Sequence, residues 1–212
     1  MTAKRPDLAV IEGRYIRLLP MSPSDLPALY AAIGRSEVFA QGYGGGPDAY
    51  RATLDEFVGW AYTEFPWGTR NNYLVCVNGG PLDGVVVGST TLGDFELERE
   101  HAHIGWTAYD PRVWGTQVNA EAKLLLLGLG FDAGFGRIKI QTDVLNERSR
   151  AAVIKLGAKL EAIVRRDELR ADGTWRDTAL YSILINEWPV VRDGLESRLA
   201  KWGDRPVEYR ER

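Results

Sequence analysis

The sequence predicts an α+β domain on a mixed, mostly antiparallel sheet of about six or seven strands flanked by helices. Three observations carry that expectation. Runs with period-two alternation outnumber helical runs and are joined by turn chemistry, as in hairpins. A strand–helix–strand unit in the middle of the chain implies one locally parallel pair. The 212 residues, 45% apolar and 26% charged, suit one well-packed domain, and no Ser- or Pro-rich linker or internal repeat divides them. The domain is expected over residues 10–202, after an extension at 1–9 and before a charged tail at 203–212 that is expected to fray.

Element by element, residues 13–20 (GRYIRLLP) alternate as a strand. Ser22-Pro23-Ser24-Asp25 is N-terminal helix chemistry. Leu26, Leu29, Tyr30 and Ile33 then mark one helical face, and Gly34 ends it. Gly42-Tyr43-Gly44-Gly45-Gly46 reads as a flexible loop, and residues 47–65 as a second helix with Leu54, Phe57, Val58, Ala61, Tyr62 and Phe65 on one side. Strands follow at 72–77, 85–92 and 101–108. In the last of these, His101, His103, Gly105 and Thr107 should share one face, and Ala102, Ile104 and Trp106 the other. Residues 118–134 read as a helix buried on most sides, 137–144 as a strand, and 148–156 as a helix capped by Gly157. Two strands, 160–169 and 175–185, flank the Asp172-Gly173 turn. Trp188, Val191, Leu195, Leu199 and Trp202 mark a terminal amphipathic helix.

Composition excludes several classes. Lys and Arg total 26 against 29 Asp and Glu, a net charge of −3, which lacks the basic excess of a duplex nucleic-acid binder. The single cysteine, Cys76, rules out an internal disulfide or a CxxC metal or redox site and reads as a small buried hydrophobe. No apolar stretch approaches the roughly 18 residues a membrane span needs. The opening residues lack the apolar segment of a secretory signal, so the cytoplasm is the expected compartment.

The stretch richest in chemistry is Asp110-Pro111-Arg112-Val113-Trp114-Gly115-Thr116-Gln117-Val118-Asn119, between a strand and a long helix. A loop feeding a helix presents unpaired N–H groups and the positive end of the helix dipole, which suits a pyrophosphate. Gly115 allows close backbone approach, and with no Lys in the loop the amides must do most of the binding. An ordinary strand-to-helix turn is the alternative. About 30 residues on, Asn146 and Ser149 stand at the next helix start, where Asn146 also serves as a cap. By contrast, residues 128–133 (GLGFDA) fit GxGxxA as a string but lie late in an apolar helix, so the dinucleotide reading fails its context test.

Together, Pro111 to Ala122 (PRVWGTQVNAEA) and Asn146-Glu147-Arg148-Ser149 with Lys155-Leu156-Gly157 resemble the GNAT N-acetyltransferase superfamily, in particular its ribosomal-protein-alanine acetyltransferase branch. Either motif alone is weak; both, in register around the right element, are fairly specific, and the element order agrees over residues 10–188. The resemblance implies a GNAT-like fold and direct acetyl transfer from acetyl-CoA, a co-substrate, to an amine acceptor in a ternary complex. It implies that Val113, Trp114, Gly115, Thr116, Gln117, Val118 and Asn119 cradle the pyrophosphate. It implies that the strands at 106–108 and 137–144 splay to admit pantetheine. A backbone N–H near Trp106 or Thr107 would polarise the thioester carbonyl. Asn146 would bond the pantetheine arm, and Ser149 would protonate the leaving thiolate. Two departures stand out: Gln117 occupies a position that is small in the superfamily, and Asn119 one that is commonly Ala or Thr. A side chain at 117 either crowds the phosphates or donates to them. No metal is expected, since there is no third His to join His101 and His103, and charge and hydropathy leave no expectation of nucleic acid or membrane. The resemblance makes a homodimer the expectation, with apolar surface offered by the terminal helix.

An alkylamine with a pKa of about 10.4 must lose a proton before attack. His101 and His103 are the candidate bases, because imidazole titrates near neutrality. His103 precedes Gly115 by twelve residues. The pair resembles the His-x-His of arylalkylamine acetyltransferases in the same superfamily, whereas a Glu is common at the position of His103 in the ribosomal-protein branch. Alternatives are a functionless face, two ligands of a metal hydrolase whose third ligand would be a carboxylate, or a base among Glu96, Glu98 and Glu100. A non-catalytic acyl-CoA- or partner-binding domain is the second reading, motivated by Gln117 and the lack of an obvious carboxylate base. The acceptor side is expected along residues 40–46, 47–65 and the turn at Gly173.

Overall fold

The computed structural model describes residues 3–40, 42–65 and 67–211. Met1, Thr2, Gln41 and Arg212, which fall in the expected extension, acceptor-side loop and tail, lie outside the described residues, as does Pro66. Eight strands form one sheet: β1 (Ile11–Glu12), β2 (Ile16–Pro20), β3 (Asn71–Val77), β4 (Val86–Glu96), β5 (His101–Tyr109), β6 (Arg137–Asp143), β7 (Lys159–Leu169) and β8 (Trp175–Leu184). Their spatial order is β1-β2-β3-β4-β5-β6-β8-β7, antiparallel throughout except for the parallel pair β5–β6. The expectation of a mixed, mostly antiparallel sheet holds, with one strand more than expected because Ile11–Glu12 pairs separately on Leu18 and Arg17.

Helices cover both faces, since each face buries a different apolar set. On one face lie α1 (Leu26–Ile33), α2 (Ser36–Phe39) and α3 (Leu54–Glu64), packed through Leu29, Phe39, Phe57 and Ala61. On the other lie α4 (Val118–Asp132), α5 (Glu147–Leu156) and α6 (Trp188–Ala200), packed through Leu126, Leu127, Val153 and Leu195. Glu121 of α4 is buried, and its carboxylate accepts the N–H groups of Arg14, Tyr15 and Ile16 at 2.7–2.8 Å, which locks α4 to the start of β2.

Three expectations are corrected. The helix expected over 47–65 is a short 3-10 turn at Pro47–Ala49 followed by α3. Thr53 caps α3 through a box with Glu56, whose carboxylate takes the Thr53 N–H and hydroxyl, so the helix cannot start earlier. The apolar side of α6 is not free surface: Trp188 packs on Phe131 at 5.4 Å between centroids, and Leu195 and Leu199 are buried. Exposed apolar side chains gather instead around the edge strand β7, at Leu160, Ile163, Val164 and Leu169. Nor does the tail fray, because Val207 is fully buried and the backbone N–H of Arg210 donates to the Arg112 carbonyl at 2.9 Å.

Candidate active site

The site is built on β5. Its pairing with β6 covers only His101 to His103 against Arg137 to Lys139. Beyond that point β6 stays with β8 and β5 stays with β4, so the two parallel neighbours part. On the β4 side the register shifts: Ser89 faces Ala108 and Thr91 faces Gly105, so Trp106 and Thr107 are an extra residue's worth of chain without ladder partners. Trp106 has φ of +47°, which few non-glycine residues adopt. The bulge overturns the expected face assignment. Trp106 joins the face of His103, ring edge to ring at 5.4 Å, while Thr107 turns toward α4 and accepts a bond from Lys123 Nζ at 3.0 Å.

His103 is buried, and its Nδ1 bonds Asp94 Oδ2 at 2.9 Å. A carboxylate can only accept, so Nδ1 carries the proton and Nε2 keeps a lone pair. That Nε2 is buried with no hydrogen-bond partner among the described residues. Burial lowers the His103 pKa below its ordinary value, although Asp94 works in the opposite direction. The bond from His103 holds Asp94 well below the usual carboxylate range, with help from Arg70 and Lys139. The Arg70 guanidinium also lies over the Trp106 ring at 3.9 Å. Gly105 is required here by contact, for a Cβ on it would stand 2.8 Å from the His103 ring. Beside this cluster opens a cavity of about 630 Å³ lined by Arg5, Arg70, Asp94, Phe95 and Lys139.

His101 does not join His103. It is half-buried beside a second depression shared with Arg137, Gln141 and Glu161. Asp94 is the residue that sequence reasoning missed. The register Gly93↔His103 places it next to the ring, and its φ of +48°, a conformation Asp tolerates, aims it there. Among the described residues no group of three or more His, Cys, Asp or Glu could hold a metal ion, and no helix is long and apolar enough to cross a membrane.

The loop after β5 folds as a 3-10 turn, Pro111–Val113, capped by Asp110, and enters α4 through Trp114 to Gln117. Gly115 has φ of +75°. Among the described residues the N–H groups of Gly115, Gln117 and Asn119 meet no protein acceptor, as the anion-binding reading requires. Thr116 Oγ1 donates back to the Val113 carbonyl at 2.6 Å. The Gln117 side chain neither crowds the loop nor points along it: its Nε2 donates to the Arg205 carbonyl at 3.1 Å. The Trp114 indole donates to the Tyr109 carbonyl, and the Arg148 guanidinium stacks on its ring at 3.3 Å. The loop after β5 is thereby tied to the start of α5, across the gap between the parted strands.

At that helix start Asn146 Oδ1 accepts the Ser149 N–H at 2.9 Å, the capping role expected of it. Ser149 lies half-buried in the first turn of α5. On the opposite side Ala171 N donates to Gly45 O at 3.1 Å, joining the β7–β8 turn to the loop before α3. Phe39, Tyr43 and Trp60 pack there with centroids 5.4–5.9 Å apart. Glu64 of α3 has its pKa raised by burial and by Glu168 of β7.

Similarity to known proteins can be set beside this geometry. The model of the GNAT acetyltransferase domain matches residues 16–159. A T. thermophilus protein provisionally assigned as an acetyltransferase is 30% identical, with TM-score 0.79 over 94% of this chain and 100% of that one. A GCN5-related N-acetyltransferase from Brucella melitensis has TM-score 0.83 at 24% identity, covering 99% of this chain and 94% of that one. Mycobacterium smegmatis RimJ, solved in complex with CoA-disulfide, has TM-score 0.70 at 22% identity, covering 93% and 97%. The last two speak for the fold. No curated protein matches the sequence.

Proposed function

The chain belongs to the GNAT acetyltransferase family, whose domain spans residues 16–159, and from that premise we propose that it transfers the acetyl group of acetyl-CoA to a primary amine. The amine is a protein N-terminus or a small molecule, and the reaction runs in a ternary complex. The observation that carries this reading is the Asp94–His103 pair: a buried imidazole fixed by a carboxylate, with Nε2 unpartnered among the described residues, at the point where β5 and β6 part.

In this reading the diphosphate rests on the N–H groups of Gly115, Gln117 and Asn119 within the loop Val113 to Asn119, and pantetheine enters between β5 and β6. A backbone N–H at the bulge, from Trp106 or Thr107, faces the thioester oxygen and stabilises the charge that grows there. The amine, or a water that it binds, supplies the hydrogen bond His103 Nε2 lacks, and its proton passes to that nitrogen. The amine nitrogen then attacks the carbonyl carbon, and the carbon–sulfur bond breaks. The second proton of the attacking nitrogen passes through the Ser149 hydroxyl, which gives one proton to the thiolate as it takes up another, a modest contribution because a thiol with a pKa of about 8.5 leaves readily. Asn146 bonds the pantetheine arm.

Neither feature that favoured a non-catalytic domain stands against turnover. The Gln117 side chain is drawn away from the phosphates by the Arg205 carbonyl, and the base obtains its carboxylate from β4. The reading includes a homodimer through the exposed β7 edge, which sedimentation at high concentration checks against a monomer. The central test is thiol release from acetyl-CoA by the purified chain with a panel of primary amines and N-terminal peptides. Turnover with at least one amine is expected. CoA binding without thiol release across the panel overturns the catalytic reading. Loss of CoA binding on Gly115→Phe is expected, and intact binding removes the loop assignment.

A further inference from the structure

The expected fraying tail is a strap. Pro206 packs against Gly80, where an added Cβ would meet it at 2.4 Å. Val207 is fully buried. Tyr209 lies under the Arg112 guanidinium at 3.7 Å. The Arg205 carbonyl takes the Gln117 amide at 3.1 Å, and the Arg210 N–H reaches the Arg112 carbonyl at 2.9 Å. These contacts run the strap alongside the loop Arg112 to Gln117.

The strap ends with a cation over the loop glycine. Arg210 Nη1 stands 3.0 Å from the position a Cβ would take on Gly115. Among the described residues its guanidinium has no ion pair or hydrogen bond; its nearest aromatic partner is the Trp202 ring, at 5.9 Å. The loop's own cation is otherwise engaged: Arg112 pairs with the buried Asp110 at 2.6 Å. The loop thus has three backbone donors without acceptors among the described residues, at Gly115, Gln117 and Asn119, and, from within itself, no unpaired positive charge. Arg210 supplies one, as a planar fork that matches phosphate oxygens.

Building on the CoA-dependent reading above, we propose that Arg210 is a ligand of the CoA diphosphate, carried to the loop by the C-terminal strap. Gln117 serves as the strap's anchor instead of a phosphate donor. This assigns a use to the position where the loop departs from the pattern it otherwise resembles. A small residue at 117 has no amide to hold the strap.

The test is titration calorimetry on the full chain with CoA, dephospho-CoA and pantetheine at low salt. Arg210 is exposed, so Arg210→Ala should keep the ligand-free melting temperature. It should weaken CoA about tenfold or more, the loss of one charge-assisted contact. Arg210→Lys should recover part of that. The same loss should appear with dephospho-CoA, which keeps the diphosphate, and vanish with pantetheine, which has none. An unchanged or tighter CoA affinity in Arg210→Ala overturns the proposal, tighter binding meaning that the strap obstructs the loop. A loss absent with dephospho-CoA overturns it too, by moving the contact to the 3′-phosphate. Failure of the unmodified chain to bind CoA at all sinks the transferase reading itself.

Discussion

Two buried bases sit on opposite faces of β5, on either side of its bulge. His103, on the strand itself, faces the aromatic side, and Lys123 reaches the other face from α4; burial lowers the pKa of both. Their surroundings differ in kind. His103 has a carboxylate on one nitrogen and, among the described residues, nothing on the other. Lys123, pushed down to about 7 by burial, bonds the Thr107 hydroxyl, itself 2.8 Å from Thr90 Oγ1. An oriented ring with a spare lone pair can accept a proton from a substrate. An amine held by one hydroxyl in an apolar layer is foremost a cost to stability. A perturbed pKa marks both groups and does not separate them; the lone pair without a donor does.

The comparison breaks first at His103. Replacing it with Ala should lower kcat/KM by about 10²-fold or more while leaving CoA affinity intact. Because a cavity beside Trp106 could loosen the fold, His103→Gln is the companion variant. Activity within a few-fold of the parent in both would remove His103 as the base. Asp94→Asn comes next, with an expected loss of about tenfold. The sign of its pH effect is fixed: Asp94 raises the His103 pKa, so removing its charge should move the acid limb of the pH–rate profile further below the ordinary histidine range. A limb that moves upward would contradict the dyad.

Lys123→Met should act on stability and hardly on rate. Folded Lys123 loses its proton near pH 7, whereas an unfolded lysine keeps it to about 10.4. Between those values the unfolded chain binds more protons, so stability of the parent should rise with pH across that window. The variant should lose that slope and be more stable than the parent at pH 7. Urea midpoints at pH 7 and pH 9.5 read both effects, and a variant destabilised at pH 7 would refute the account. The smallest effect belongs to His101→Ala, expected within about twofold of the parent rate. A loss comparable with that at His103 would restore the paired-histidine reading.

The succession of strands and helices along the chain and the spacing of the loop and the following helix start were readable because each rests on local chemistry: alternation, Asp172-Gly173, and Gly115 ahead of an apolar helix. Asp94 was not readable, because it reaches His103 only through the bulged register of a hairpin. The Gly93-Asp94 pair before that hairpin was the available signal. The face of Trp106 was unreadable for the same reason, since period two assumes no inserted residue. The strap was missed because Val207 and Tyr209 are two lone apolar residues in a charged run, too few to show periodicity. The helix expected from 47 failed at its start, where Thr53 and Glu56 offered a better cap than Pro47.

Strand length at β5 is as constrained as its residues. Removing any one position between Gly105 and Ala108 would let the ladder with β4 close without interruption. Ala108 and Tyr109 would keep their places opposite Ser89 and Gly88, but the one bulge residue left would be drawn flat into the ladder opposite Thr90, and the backbone that the bulge leaves without ladder partners would be lost. An insertion or deletion here should therefore be far less tolerable than most single substitutions, even one that leaves the histidine, its carboxylate and the loop glycine untouched.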